Sequence, residues 1–191
     1  GTIRFNYGKN IDNKKRIIDL MITQKSRRYH ETRVWNMFTL NEYNNFYKGL
    51  ATLDPNNNFV HCSELLIDNE TIATHLGIID DSTFYYLMPA HEGADWGKYS
   101  PGRGLLLELM KWSINNKKDF FDFTVGGELY KKNWCDISEN LFEILVSSTF
   151  KGYIVLINRK FIRFIKQSIK NISFLEKAMR YLRSLLMNRK L

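Results

Sequence analysis

Two N-terminal stretches of the chain show the apolar spacing of amphipathic helices. Residues 11–30 carry Arg and Lys on one side, and the other side repeats at three and four positions through Ile17, Leu20, Met21 and Gln24. Asp12 is in place to cap this helix. Thr39-Leu-Asn-Glu42 has the form of a capping box and predicts a second helix that ends before Asp54-Pro55.

The next part of the chain has the pattern of a β-meander. Residues 59–67, 71–79 and 83–88 are rich in β-branched and aromatic residues. Short polar turns at Asp68-Asn69 and Asp80-Asp81-Ser82 separate these three runs. The pattern predicts three antiparallel strands.

A helix and a further strand follow the meander. Ser100 is expected as N-cap and Pro101 as the first helical residue of a helix that ends near Asn116, and residues 120–124 return to a strand pattern. A strand-helix-strand crossover within a meander predicts a mixed sheet flanked by helices, in the α+β class. Residues 141–147 and 153–157 predict a closing hairpin, and residues 161–186 a helix that restarts at the capping box Ser173–Glu176.

Composition is that of a globular chain. The 191 residues are 44% hydrophobic and 25% charged, and no apolar run approaches the ~20 residues that a bilayer-spanning helix needs. Cys62 and Cys135 form no CxxC pair and no His cluster lies near them, so we expect neither a metal site nor a disulfide framework. A reducing cytoplasm fits best. The chain starts with Gly-Thr, and we expect a processed or cut N-terminus.

The net charge of +8 is concentrated at the C-terminal end. Residues 151–191 hold 11 Lys and Arg against the single Glu176, while the first 150 residues sum to −2. We therefore divide the chain into a domain of residues 1–157 and a basic helical tail of residues 158–191. An apolar stripe along the tail includes Ile162, Ile165, Ile169, Ile172, Leu175, Met179, Leu182 and Leu186.

The tail is open to three interpretations. Its apolar stripe can pack on the domain or on a missing partner, which is the favoured interpretation, or it can lie on an anionic membrane surface. Nucleic acid is the third interpretation, and it is disfavoured because aromatic residues do not alternate regularly with the cations. Sheet edges and the tail both offer surfaces for a homodimer.

The segment Tyr99-Ser-Pro-Gly-Arg-Gly104 is the strongest candidate for a binding site. Its two glycines let the backbone approach a ligand, the helix dipole favours an anion, and Arg103 adds a full positive charge. A pyrophosphate would fit there. On spacing alone, an ordinary capped helix start is the favoured interpretation.

A wider pattern resembles a known family. Lys98–Leu107 is followed at residues 120–134 by Phe-Phe-Asp-Phe-Thr-Val-Gly-Gly-Glu-Leu-Tyr-Lys-Lys-Asn-Trp. This resembles the GNAT acetyltransferases of the cellulose-biosynthesis CelD type, whose motifs read SPG before a leucine-rich helix, then DF-x-x-G, then YK-x-x-W. Ile72–Gly77 and Phe84-Tyr-Tyr86 agree more loosely, and the resemblance covers residues 15–157.

The resemblance implies an acyl-CoA site where two strands splay apart, with the pyrophosphate on the N-terminus of the following helix. The residues that it implies for the cofactor are Tyr99, Ser100, Gly102, Arg103 and Gly104. A phosphate-clamping role for Arg103 is our own inference, because the family more often has Gly or an aliphatic residue there. Relatives are commonly about twice this long, with an additional GNAT half, which leaves the completeness of the acceptor pocket open.

The implied reaction is attack of a neutral amine on a thioester carbonyl, with a proton supplied to the leaving thiolate. Candidates for the base are Asp122, Glu128 and His75, and candidates for the proton donor are Tyr130 and Tyr99. Lys131 matches the family's YK pair. Each has a structural alternative: Asp122 as a partner for Lys131, Glu128 as a helix cap, His75 as a satisfied strand histidine, and Lys131 as a solvated charge.

The sequence thus favours a cytoplasmic N-acyltransferase that uses acetyl-CoA or a close relative. The expected acceptor is an amine of an amino sugar or of a polysaccharide or cell-envelope precursor, which the family's associations alone suggest. A FemAB-like transferase that uses aminoacyl-tRNA and a non-catalytic GNAT half remain as alternatives.

Overall fold

The computed structural model of the protein describes residues 1–54, 56 and 59–170. It contains two compact units, the first made of residues 1–32 and 36–134 and the second of residues 33–35 with those from 135 onward. The helix restart at Ser173 and the apolar stripe beyond residue 170 lie outside the described residues. The predicted boundary after residue 157 stays a prediction.

The first unit is built on a five-stranded sheet in sequential order. The strands are β1 (Ile3–Tyr7), β2 (Val60–Ile67), β3 (Glu70–Ile79), β4 (Thr83–His91) and β5 (Phe120–Asp122). The first four strands are antiparallel neighbours, and β5 pairs with β4 in parallel. The prediction of a mixed sheet that contains a meander is confirmed, and the crossover leads to the edge strand β5.

The edge strand β1 was not predicted. It pairs along β2 from Ile3 opposite Ile67 to Tyr7 opposite Ser63. Its sequence Ile-Arg-Phe-Asn-Tyr alternates apolar and polar residues, which is a strand signal, but it is only five residues long and mostly exposed. A run this short and this exposed gives only a weak strand signal.

Three α-helices accompany the sheet: α1 (Ile11–Glu31), α2 (Asn41–Leu53) and α3 (Pro101–Asn115). The cap of α1 is Asn10, whose side chain accepts the N–H of Asn13, and not Asp12 as predicted. The predicted capping box of α2 is also wrong. Thr39 ends a short 3₁₀ helix, and its hydroxyl donates to the carbonyl oxygen of Asn36.

Helices α1 and α3 pack on opposite faces of the sheet. Thr74 on β3 donates to Gln24 of α1 at 2.7 Å, whereas the ring of His61 on β2 lies 4.3 Å from Trp112 of α3. Successive side chains of a strand point to opposite faces, so even positions of β3 meet α1 and odd positions meet α3. The main apolar core lies beneath α1 and α2 and includes Ile17, Ile18, Met21, Phe38, Val60, Cys62 and Leu76.

A buried ion pair ties α1 to the end of α2. Lys14 Nζ lies 2.9 Å from Asp54 Oδ2, and both side chains are almost fully buried. The same carboxylate accepts the backbone N–H groups of Phe59 and Val60. Asp54 therefore joins α1 to the start of β2.

The described part of the second unit contains the helix α4 (Phe150–Lys170). The predicted hairpin is wrong, because residues 141–147 form neither helix nor strand and residues 153–157 lie inside α4. A short apolar run has the same appearance in a strand and in a helix, and here the helical spacing from Phe150 decides. Within the described ranges, no helix is long and apolar enough to cross a membrane.

Candidate active site

Strands β4 and β5 separate soon after they meet. Their parallel pairing runs from Thr83 and Phe120 to Tyr85 and Asp122, after which β4 continues without this partner as far as His91. Thr124 keeps one weak link, since its hydroxyl lies 3.4 Å from the carbonyl oxygen of Tyr86. The separation leaves one edge of β4 open to a ligand.

A β-bulge bends β4 at this point. Leu76 pairs with Met88 and Ile78 with Tyr85, so that Gly77 alone faces two residues of β4. A side chain at Gly77 would begin 2.6 Å from the carbonyl oxygen of Tyr85, which is too close for any Cβ atom. The glycine therefore permits the bulge.

A cavity of about 660 Å³ opens beside this part of β4. Four elements form its walls: α1, the end of β4, the start of α3, and the 3₁₀ helix at Leu129–Asn133 with Trp134. The lining residues are Gln24, Lys25, Arg28, Tyr86, Pro89, Ala90, His91, Gly102, Arg103, Leu106, Tyr130, Asn133 and Trp134. The volume lies within the range of small-molecule and cofactor sites.

The start of α3 forms one end of the cavity. Ser100 has a left-handed backbone with φ 53°, which turns the chain into the helix at Pro101. The N–H groups of Arg103 and Gly104 already donate to the carbonyl oxygen of Ser100. Positive potential here therefore comes from the helix dipole and from the guanidinium of Arg103.

Three cations and no carboxylate belong to the described walls of the cavity. Arg103 lies against Trp134, with 5.6 Å from the guanidinium carbon to the ring centre. Lys25 and Arg28 approach from α1. Burial lowers the pKa of the Lys25 ammonium, and among the described residues no hydrogen bond or ion pair compensates it.

His91 adds a polar group to the same end. Its Nδ1 lies 2.8 Å from the carbonyl oxygen of Glu92. A carbonyl oxygen only accepts, so Nδ1 carries a proton in this contact. Gly102 lies directly beside this ring, since a Cβ there would be 3.2 Å from His91 Cδ2.

The match to a known protein family covers almost the same residues as the first unit. The model of the acetyltransferase (GNAT) domain family matches residues 1–132. This chain belongs to that family. It is thus an acetyltransferase of the GNAT type, and the resemblance seen in the Tyr99–Trp134 motifs is confirmed. No curated protein sequence matches the chain.

Several solved structures share the fold of this GNAT acetyltransferase over nearly their whole length. A predicted acetyltransferase from Clostridium acetobutylicum, solved with acetyl-CoA, is 14% identical over 75% of this chain and 96% of its own, with a TM-score of 0.53. An aminoglycoside acetyltransferase from an uncultured soil metagenomic sample is 11% identical over 77% and 100%, with a TM-score of 0.52. A second one from such a sample, in complex with sisomicin, is 10% identical over 77% and 97%, with a TM-score of 0.53.

Of the five predicted cofactor residues of this GNAT acetyltransferase, two line the cavity and three lie outside the described lining. Gly102 and Arg103 line the cavity. Tyr99 and Ser100 precede the helix outside the described lining, and Tyr99 is largely exposed beneath Lys98. Gly104 faces the sheet, where a Cβ would lie 3.1 Å from Leu65 Cδ2, so its small size serves helix packing.

Six residues were predicted as candidates for catalysis; Tyr99 lies outside the described lining, and of the other five only Tyr130 lines the cavity in the described structure. His75 is fully buried and stacks on Tyr86 at 4.7 Å, which separates it from the cavity. Burial, then His61 and then Lys25, lower the pKa of His75 well below its usual value. Its two ring nitrogens have no hydrogen-bond partner among the described residues.

The other three predicted residues, Asp122, Glu128 and Lys131, lie outside the described lining of the cavity. Asp122 is exposed and accepts the N–H of Thr124 at 2.6 Å. Lys131 pairs with Glu128 at 2.9 Å, so the suggested Asp122–Lys131 pair is not formed. This ion pair lowers the pKa of Glu128, which makes it a weaker base. Glu128 precedes the 3₁₀ helix without a side-chain cap bond.

Sequence reasoning missed Lys25, Arg28, His91 and the wall position of Trp134. A signal for the first two existed. They follow Met21 by four and seven positions, so they continue the apolar side of α1 with cations. For His91 and Trp134 no spacing in the sequence indicates a shared site.

Proposed function

We propose that the cavity binds an acyl-CoA and that the enzyme transfers its acyl group to an amine. The carrying observation is that a cavity of suitable size brings Lys25, Arg28 and Arg103 together at the N-terminus of α3. An uncompensated, partly buried ammonium indicates that an anionic group belongs beside it. The phosphates of coenzyme A supply such groups.

The residues fit the cofactor from the phosphates towards the thioester. Arg103, Lys25 and Arg28 would hold phosphate oxygens, and Gly102 leaves space for them beside His91. The open edge of β4 after Tyr86, where no β5 residue pairs with the strand, offers backbone groups to an extended arm. Bound acyl-CoA supplies an activated carbonyl, so the protein itself needs no covalent nucleophile.

Tyr130 is the proposed donor of the proton that the leaving thiolate takes up. It lines the cavity, as Tyr86 does, and lies on the short helix that follows β5. A phenol can donate at neutral pH, since its usual pKa is about 10. The carboxylates Asp122 and Glu128 stand outside the described lining, so a base from this chain stays a prediction.

The proposed acceptor is a neutral or anionic amine such as an amino sugar of a polysaccharide or cell-envelope precursor. Two of the structural neighbours are aminoglycoside acetyltransferases. Aminoglycosides are polycations, however, and the described cavity walls carry three cations and no carboxylate. The described lining therefore supplies no carboxylate that would pair with such an acceptor.

The first test is isothermal titration of acetyl-CoA into the purified protein. We expect binding that Gly102→Trp abolishes, because the indole would fill the cavity beside His91. Gly97→Trp is the matched control, since a Cβ at Gly97 has nothing within 4 Å. Absence of binding to the unmutated chain, or equal loss in both variants, would contradict the proposed site.

A second assay addresses the acceptor. Release of free thiol from acetyl-CoA is measured with amino sugars, nucleotide-linked amino sugars and sisomicin. We expect turnover with the first two classes and little with sisomicin. Transfer from a charged tRNA without any CoA thioester would instead support the FemAB-like alternative.

A further inference from the structure

Helix α4 in the second unit has one apolar side that is exposed. With about 100° between successive residues, the side chains on this side fall within an arc of about 100°. Its members are Phe150, Ile154, Ile157, Phe161, Phe164 and Ile165. Phe161 is 60% exposed and Phe164 67%. We call these six residues the apolar face of α4.

The opposite side of α4 is occupied. Glu143 binds both Arg159, at 2.9 Å, and Arg163. These two arginines lie about 180° and 220° around the helix from Phe150. The segment before α4 therefore contacts the helix on its polar side, where both arginines stay half exposed, and the apolar face is exposed within the described residues.

Cations flank the apolar face on both sides. Lys151 and Lys160 lie about 40° beyond its two edges, and both are exposed. Val155 and Ile162 extend the apolar side past Lys151, whose four-carbon stem can cross them. Residues 150–170 contain no Asp or Glu, so nothing on the helix itself neutralises these lysines.

We infer that α4 lies on an anionic lipid surface, with its apolar face in the membrane interface and Lys151 and Lys160 among the headgroups. Phenylalanines on one side and basic residues around it are the pattern of interfacial helices. A nucleic acid would need cations on the contact side, where α4 has phenylalanines instead. A second copy would bring the same uncompensated lysines together.

The test measures binding of the full chain to phosphatidylcholine vesicles with and without phosphatidylglycerol. We expect binding that requires phosphatidylglycerol and weakens with salt. Phe161→Ser should reduce it by at least about tenfold, because the ring no longer leaves water. Phe46→Ser is the matched control: Phe46 is also 60% exposed but lies on α2 in the first unit, and this change should have no effect.

A second variant keeps the apolar face intact. Lys151→Gln with Lys160→Gln should weaken binding to the anionic vesicles by about fivefold for each charge removed. This decides the matter if Phe161→Ser lowers the helix content. Acetyl-CoA binding is a separate readout and should be unchanged in all these variants.

Several outcomes would overturn the inference. Equal binding to both kinds of vesicle, or an unchanged affinity in Phe161→Ser, would do so. Binding of polyuridine in place of vesicles would assign α4 to nucleic acid. A dimer that Phe161→Ser dissociates, without vesicle binding, would assign the apolar face to a second copy.

Discussion

Replacing Lys25 by Met tests two effects of this side chain separately. One is its effect on the stability of the free protein, and the other is its contribution to the affinity for acetyl-CoA. Burial lowers the pKa of the Lys25 ammonium, so the charged form destabilises the folded state at neutral pH. Met has a similar length and no charge, and we expect Lys25→Met to unfold at a higher temperature. A charge-assisted hydrogen bond contributes about 1.5–3 kcal/mol, so its affinity for acetyl-CoA should fall about 10- to 150-fold.

The pH dependence gives this prediction a definite sign. The unfolded chain holds the Lys25 proton more tightly than the folded protein does, so the wild type gains stability as pH rises towards 10.5. The stability advantage of Lys25→Met should therefore be largest at neutral pH and disappear above 10.5. Differential scanning fluorimetry across pH and titration calorimetry with acetyl-CoA measure the two effects.

The matched control is Lys15→Met, which removes an exposed lysine from the same helix. It should change neither the melting temperature nor the affinity appreciably. If Lys25→Met loses stability, Lys25 has a structural role. If Lys25→Met keeps full affinity for acetyl-CoA, the assignment of the cavity to the phosphates is refuted.

Three further predictions concern stability. Lys14→Met removes the cation that pairs with the buried Asp54 carboxylate and should lower the free energy of unfolding, measured with urea, by about 3 kcal/mol. A loss below about 1 kcal/mol would show that the pair is dispensable. Gly77→Ala forces a Cβ to within 2.6 Å of the Tyr85 carbonyl and should cost about 1–3 kcal/mol, whereas a neutral result would mean that the bulge relaxes freely. Burial, followed by Lys14, lowers the pKa of His61 to about 3, so stability should fall by up to about 1.4 kcal/mol per pH unit below pH 6.5, and His61→Phe should flatten that slope.

The pattern of the sequence predicted the central fold because its elements are long and periodic. Helix α1, the meander β2–β4 and helix α3 were located within a few residues. The failures lie where signals are short. Asn10 and Asp12 are both good caps two positions apart, and residues 153–157 are too few to separate a strand from a helix by composition.

The candidate site was predicted only in its local part. Gly102 and Arg103 belong to one continuous motif, and such a motif can be read from the chain. The remaining walls come from α1, about 75 residues before the motif, from the end of β4, and from the segment after β5, about 30 residues after the motif. Which side chains converge there depends on the angle at which the helices pack, and a single sequence does not give that packing angle.

Helix α1 carries cations in two kinds of environment. Lys14 is fully buried and pairs with Asp54, and Arg16 reaches the buried carboxylate of Glu64 through two hydrogen bonds. Lys25, on the same helix, is desolvated without such a partner among the described residues, and a cavity lies beside it. Carboxylates of the protein pair with Lys14, Arg16, Arg27 and Arg28 of this helix, whereas the described residues supply none to the desolvated Lys25, which keeps a place there for an anion that arrives from outside. The desolvated ammonium of Lys25 beside the cavity is therefore stronger support for the cofactor assignment than the glycine motif is.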